Sequence, residues 1–168
     1  MNTKIFLLFS ILTLASFSVC SNENKQVEDY SPPKNHALLL ETIRLSAQGT
    51  QQSCMRFVQM NIFEFEECVS EKLKQKKLGP PERLGITYMG FVGALSAQRM
   101  GSQGSQMMAW KYAKVFHKIQ MQLKLDDQQL CALVPGDCVA RIARTEMILK
   151  GPMPKPLTEI EMADRHKH

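Results

Sequence analysis

The sequence predicts an all-α protein: a compact bundle of four to five helices, stapled by two local disulfides, Cys54–Cys68 and Cys131–Cys138. Three observations carry that expectation. Apolar residues recur at helical steps along the chain, and no run alternates apolar and polar side chains over the length of a strand. Gly79-Pro80-Pro81, the stretch Gly101-Ser102-Gln103-Gly104-Ser105 and Pro135-Gly136-Asp137 cut the chain into helix-sized pieces. Four cysteines lie beyond the first 20 residues, which hold a short apolar run, and that even number suits a disulfide framework in an oxidising compartment.

Each element has its own justification. Residues 36–59 place Leu39, Ile43, Ala47, Cys54 and Val58 at helical steps, with Gly49 as an expected irregularity. A second helix covers 62–77, with Phe65, Cys68, Val69 and Leu73 on one side. Pro81 suits a first helical turn and Glu82 favours its N-terminal end, so a third helix runs from 81 to about 100 and stops at Gly101. Its segment 84–98 is uncharged and too short for a bilayer, which needs about 20 residues, and reads as a buried helix. Ser105 is placed to cap a fourth helix over 106–123, whose stripe is Ala109, Tyr112, Ala113, Phe116, Gln120 and Leu123. Asp126 caps a short helix to Leu133, and the Pro-Gly turn opens a last helix ending near Lys150.

At the N-terminus, Lys4 precedes an apolar run over 5–14, and small residues follow up to Cys20. This pattern reads as an export signal over 1–20, too short to span a membrane. The remaining 148 of 168 residues divide into a disordered polar linker (21–35), one helical domain (36–150) and a proline-rich disordered tail (151–168). Phe17-Ser18-Val19-Cys20 resembles the lipobox of bacterial lipoproteins, which implies acylation of Cys20 and a membrane-anchored product. Phe17 and Val19 depart from that pattern, and plain cleavage after Cys20 is the competing outcome.

Geometry selects the cysteine pairs. On one straight helix Cys54 and Cys68 would lie about 21 Å apart, at about 1.5 Å per residue. Cys131 and Cys138 would then have to reach two distant points across a tight turn. A chain reversal at Met60-Asn61-Ile62 instead brings Cys54 and Cys68 face to face, seven residues either side of Asn61. Cys131 and Cys138 likewise flank Pro135-Gly136.

Candidate functional residues are few. Gly90, Ala94, Ala97 and Gly101 recur at steps of four, three and four and form a nearly bare helix face, open to close packing within the bundle or to a partner helix. Lys111, Lys114, His117 and Lys118 make a basic stripe beside Trp110, the sole tryptophan, and Lys124 extends it. Glu64, Glu66 and Glu67 are carboxylates suited either to the dipole of a helix start or to glycoside hydrolysis. Ten of the eleven methionines remain after the signal, without the dense spacing of a copper site, and no histidine pair has zinc-motif spacing. No nucleophile elbow, phosphate loop or dinucleotide fingerprint is present, so no cofactor or metal is expected.

The net charge of +5, or +4 once Lys4 is removed, is mild and interspersed with acids, which argues against a nucleic-acid partner. The expected function is therefore an exported, non-catalytic interaction or ligand-binding factor. Its partner would be a protein or an apolar ligand in the envelope or outside it, with membrane contact only peripheral or through a lipid on Cys20. A small envelope hydrolase using Glu64, Glu66 or Glu67 is the alternative from another class.

Overall fold

The computed structural model describes residues 36–134 and 136–155. The expected signal, Cys20, the linker 21–35 and the tail from 156 onward lie outside the described residues. In chain order the helices are α1 (His36–Cys54), α2 (Ile62–Leu73), α3 (Pro80–Arg99), α4 (Ser105–Gln122), α5 (Asp127–Ala132) and α6 (Cys138–Lys150). Five are long, and α5 is a six-residue corner piece. No strand occurs among the described residues.

α3 is the centre of the arrangement. Every position from Leu84 to Phe91 is buried, so the helix has no solvent face over two turns. Such a helix must be enclosed on all sides, and α1, α2 and α4 pack around it while α6 rests on α4 and α5. Phe65, Phe91 and Phe116 are fully buried at the centre. Tyr88 meets Phe116 edge to face at 5.3 Å, and Phe91 lies 5.0 Å from the same ring.

Glycines set how closely the helices approach. A Cβ on Gly90 would come within 2.9 Å of the Tyr112 ring, and one on Gly93 would overlap the Phe65 ring. On the opposite side, α3 meets α1 at Gly85, against the Ile43 carbonyl and the Ala47 nitrogen. Gly49, the expected irregularity, is ordinary helix, and α1 continues to Cys54 before a 3-10 turn at Met55–Val58. α2 stops at Leu73 rather than Lys77: Lys74 is its C-cap, and Lys77 itself is left-handed with φ of 74°.

The helix ends follow local chemistry. Asn61 caps α2 by accepting from the Phe63 N–H at 2.9 Å. Pro80 and Pro81 open α3, where missing N–H groups do no harm. At its far end the Gly101 N–H donates to the Gln98 carbonyl and the Ser102 N–H to Ala97, with Gly101 left-handed at φ of 77°. Ser105 does not cap α4. Gly104 takes the cap position, and the Ser105 hydroxyl donates back to the Ser102 carbonyl at 2.6 Å. Asp126 and Gln129 form a capping box on α5, and Asp137 caps α6 by accepting from Ala140. Buried Gln120 ties the end of α4 to the next corner, donating to the Leu125 carbonyl and the Asp127 carboxylate.

Both disulfides are local, with Cα separations of 5.7 Å for Cys54–Cys68 and 5.5 Å for Cys131–Cys138. Each closes a helical corner, contributing about 3 and about 2 kcal/mol respectively in the chain-entropy account.

Burial also gives the fold an alkaline limit. Desolvation pushes the Tyr112 phenol well above its ordinary range, and nearby Glu66 adds to the rise. Tyr88 is raised by burial too, with Arg141 opposing and Asp127 assisting. The folded chain then holds phenolic protons that the unfolded chain releases above about pH 10, so stability is full below that pH and falls above it. Tyr112→Phe should leave urea unfolding at pH 7 nearly unchanged and flatten the decline between pH 10 and 11.5, by up to about 1.4 kcal/mol per pH unit. An unchanged slope would show that Tyr112 does not titrate on unfolding.

Candidate functional site

The described surface is opened by a groove between the C-terminal end of α3 and one face of α6. Ala140, Arg144 and Met147 recur along α6 at steps of four and three, the spacing of a single helical face, and Gly151 follows at its end. Leu95, Gln98 and Arg99 of α3 stand across from it. The groove has two adjoining parts. A recess of about 380 Å³ lies between α3 and α6 and holds Arg99, Arg141 and Arg144. A second, of about 230 Å³, is walled by Trp110, Met147, Ile148, Pro152 and Pro154. Gln98 and Arg144 belong to both.

The three arginines differ. Arg141 is 6 % exposed, and its guanidinium donates to the Val134 carbonyl at 2.7 Å and the Cys131 carbonyl at 3.2 Å. It lies 5.9 Å from the centre of the Tyr88 ring, so it is a structural cation joining α6 to the corner after α5. Arg99 is exposed and Arg144 half-buried, and neither has a hydrogen-bond or ion-pair partner among the described residues. No carboxylate of the described residues lines either recess. Trp110 is half-buried; its indole N–H is shielded from solvent and has no acceptor among the described residues, which is uncommon for a buried donor.

The residues singled out from sequence are distributed differently. Gly90, Ala94 and Ala97 lie inside the helix packing and present no outer face, while Gly101 is exposed at the end of α3. The basic stripe does not act as one surface. The Lys111 ammonium reaches α2 and pairs with Glu66 at 2.6 Å, and the Lys114 ammonium donates to the Leu149 carbonyl at the end of α6. Lys114 also lies 5.7 Å from the Trp110 ring centre, and Lys118 is exposed. These lysines tie α4 to the helices on its two sides. Glu66 is occupied by Lys111, Glu64 accepts a long contact from Asn61, Glu67 is exposed, and none of the three lines the groove.

Of the sequence candidates, only Trp110 belongs to the groove. Arg99, Arg144, Gln98 and Met147 are not visible as a set in the sequence. The α6 spacing is a usable signal, but Arg99 and Gln98 join it only through the packing of α3. Among the described residues no three histidine, cysteine or acidic side chains converge on one point, and no helix is long and apolar enough to cross a membrane. The paired cysteines belong to an oxidising compartment.

Fold and site together define a disulfide-stapled, all-α protein with a cationic and aromatic surface groove. Compared with protein-family models, curated proteins and solved structures, the chain matches none.

Proposed function

We propose that the chain is an exported, non-catalytic binding factor of the cell envelope or extracellular space, and that the groove beside Trp110 is where it binds. The groove itself carries this reading, because it joins a roomy recess holding three arginines to one walled by Trp110, Met147 and Ile148. The N-terminal signal pattern and the two local disulfides support the export part. The lipobox-like residues before Cys20 support a membrane-anchored form of the same factor, and intact mass of the native protein separates it from one beginning near Ser21.

The binding part is tested with N-phenyl-1-naphthylamine, a neutral apolar fluorophore excited beyond the absorption of tryptophan. The expected result is a saturable rise in its emission with the intact chain, lost in Met147→Trp, which fills the groove from an exposed position on α6. Equal enhancement by both proteins would remove the groove as the binding place.

A further inference from the structure

Resting on the binding reading above, we infer that the groove takes an anionic amphiphile, with a carboxylate or phosphate headgroup between Arg99 and Arg144 and an alkyl chain along Met147, Ile148 and Trp110.

Charge complementarity carries the first half of this assignment. Arg99 and Arg144 line one recess, have no partner among the described residues, and face no carboxylate there. A guanidinium presents a planar fork of donors that fits both oxygens of a carboxylate or phosphate, and such charge-assisted pairs are roughly twice as strong as neutral hydrogen bonds. Arg141 adds fixed positive charge to the floor while its own donors hold the corner after α5. The second half comes from the adjoining recess, where Trp110, Met147, Ile148 and two prolines stand beside two glutamines. Arg144 and Gln98 stand at the junction, so a headgroup and a chain would each meet the matching surface. Size favours a small molecule over a protein. The larger recess alone, about 380 Å³, is within the range of ligand sites, roughly 300–1,000 Å³. A stable protein interface would need a face of about 800 Å² on each side.

The test uses the intact, oxidised chain and the emission of Trp110, its one tryptophan. Dodecanoate, dodecyl phosphate, dodecyl maltoside, dodecyltrimethylammonium and inorganic phosphate are titrated separately, each amphiphile below its micelle-forming concentration. Dodecanoate and dodecyl phosphate should shift the emission saturably, and the neutral and cationic amphiphiles should bind at least about tenfold more weakly. Their relative strengths identify the headgroup source. Arg144→Ala and Arg99→Ala should each weaken dodecanoate by about tenfold, with Arg144→Lys recovering part of the loss. Equal response to charged and neutral amphiphiles overturns the headgroup assignment and leaves the binding reading standing. A full response to inorganic phosphate alone overturns the amphiphile. No response to any amphiphile, or a Trp110 shift on simple dilution accompanied by a halving of mass, overturns both, the latter by showing a second copy in the groove.

Discussion

Arg141→Ala is expected to destabilise the oxidised chain by about 4 kcal/mol, read as a lower midpoint in urea at pH 7. The guanidinium is almost wholly enclosed, and it supplies donors to the carbonyls of Cys131 and Val134, where α5 ends and the chain turns toward α6. Alanine leaves those two carbonyls without their donor. Each buried unsatisfied group costs about 1–3 kcal/mol. The loss of the guanidinium 5.9 Å from the centre of the Tyr88 ring adds to that deficit. Both carbonyls accept from one nitrogen, Nη2, so Arg141→Lys keeps the charge, can replace part of this bonding, and should cost about 2 kcal/mol. Arg141→Met restores volume without donors and should fall between the two. An alanine variant whose stability matches the parent would show that the corner is held by its disulfide alone.

Gly85→Ala and Gly49→Ala should move stability in opposite directions. Both glycines are helical, so alanine helps each in the absence of neighbours, by about 0.5–1 kcal/mol. At Gly49 the new methyl group meets nothing within 4 Å, and that gain should appear in full. At Gly85 it would collide with the backbone of α1 at Ile43 and Ala47 and with the Ser46 side chain. Backbone cannot rotate away as a flexible side chain can. α1 would have to lift off α3 along its length, loosening Ile43 and Ala47, both 1 % exposed. The expected cost is about 3 kcal/mol, the upper part of the range for overpacking a closed interior. Two urea curves measured side by side decide it, and a stabilised Gly85→Ala would mean that the α1–α3 approach is not close.

These two positions also mark how far the sequence can be read. The six helices are legible because capping and turn residues act locally. Asn61, Pro80-Pro81, Gly101, Asp126 and Asp137 sit at the ends of their elements for reasons that involve only a few neighbouring residues. The α4 stripe from Ala109 to Leu123 is buried as its spacing implies. Both cysteine pairs are legible for the same reason, since each needs only one chain reversal between its members. Ser105 departs from its expected capping role because Gly104, in a left-handed conformation, takes the cap position one residue earlier.

The candidate site is much less legible. A helix buried on every side has no privileged stripe, so Gly90, Ala94 and Ala97 mark one of several packed directions of α3, and Gly101 lies exposed beyond its end. Gly85 and Gly93, which set equally close approaches, lie off that stripe. Lys111 and Lys114 share a helical face in the sequence, yet one bonds to α2 and the other to the end of α6.

The sequence by itself determined the helices, most of their ends, the two disulfides and the enclosed character of α3. All of these depend on residues close together in the chain, where hydrophobic period, backbone conformation and short loops suffice. Only the tertiary structure decided which charges are structural and which are free. Arg99 and Arg144 meet across one recess although they stand on α3 and α6, with two whole helices between them in the chain. Arg141, one turn before Arg144 on the same helix, is enclosed as a structural cation. Arginine carries the same charge and the same donors at all three positions. What distinguishes them is how α6 rests on α4 and α5 and leaves a recess beside α3, and that placement is set by packing across the described helices.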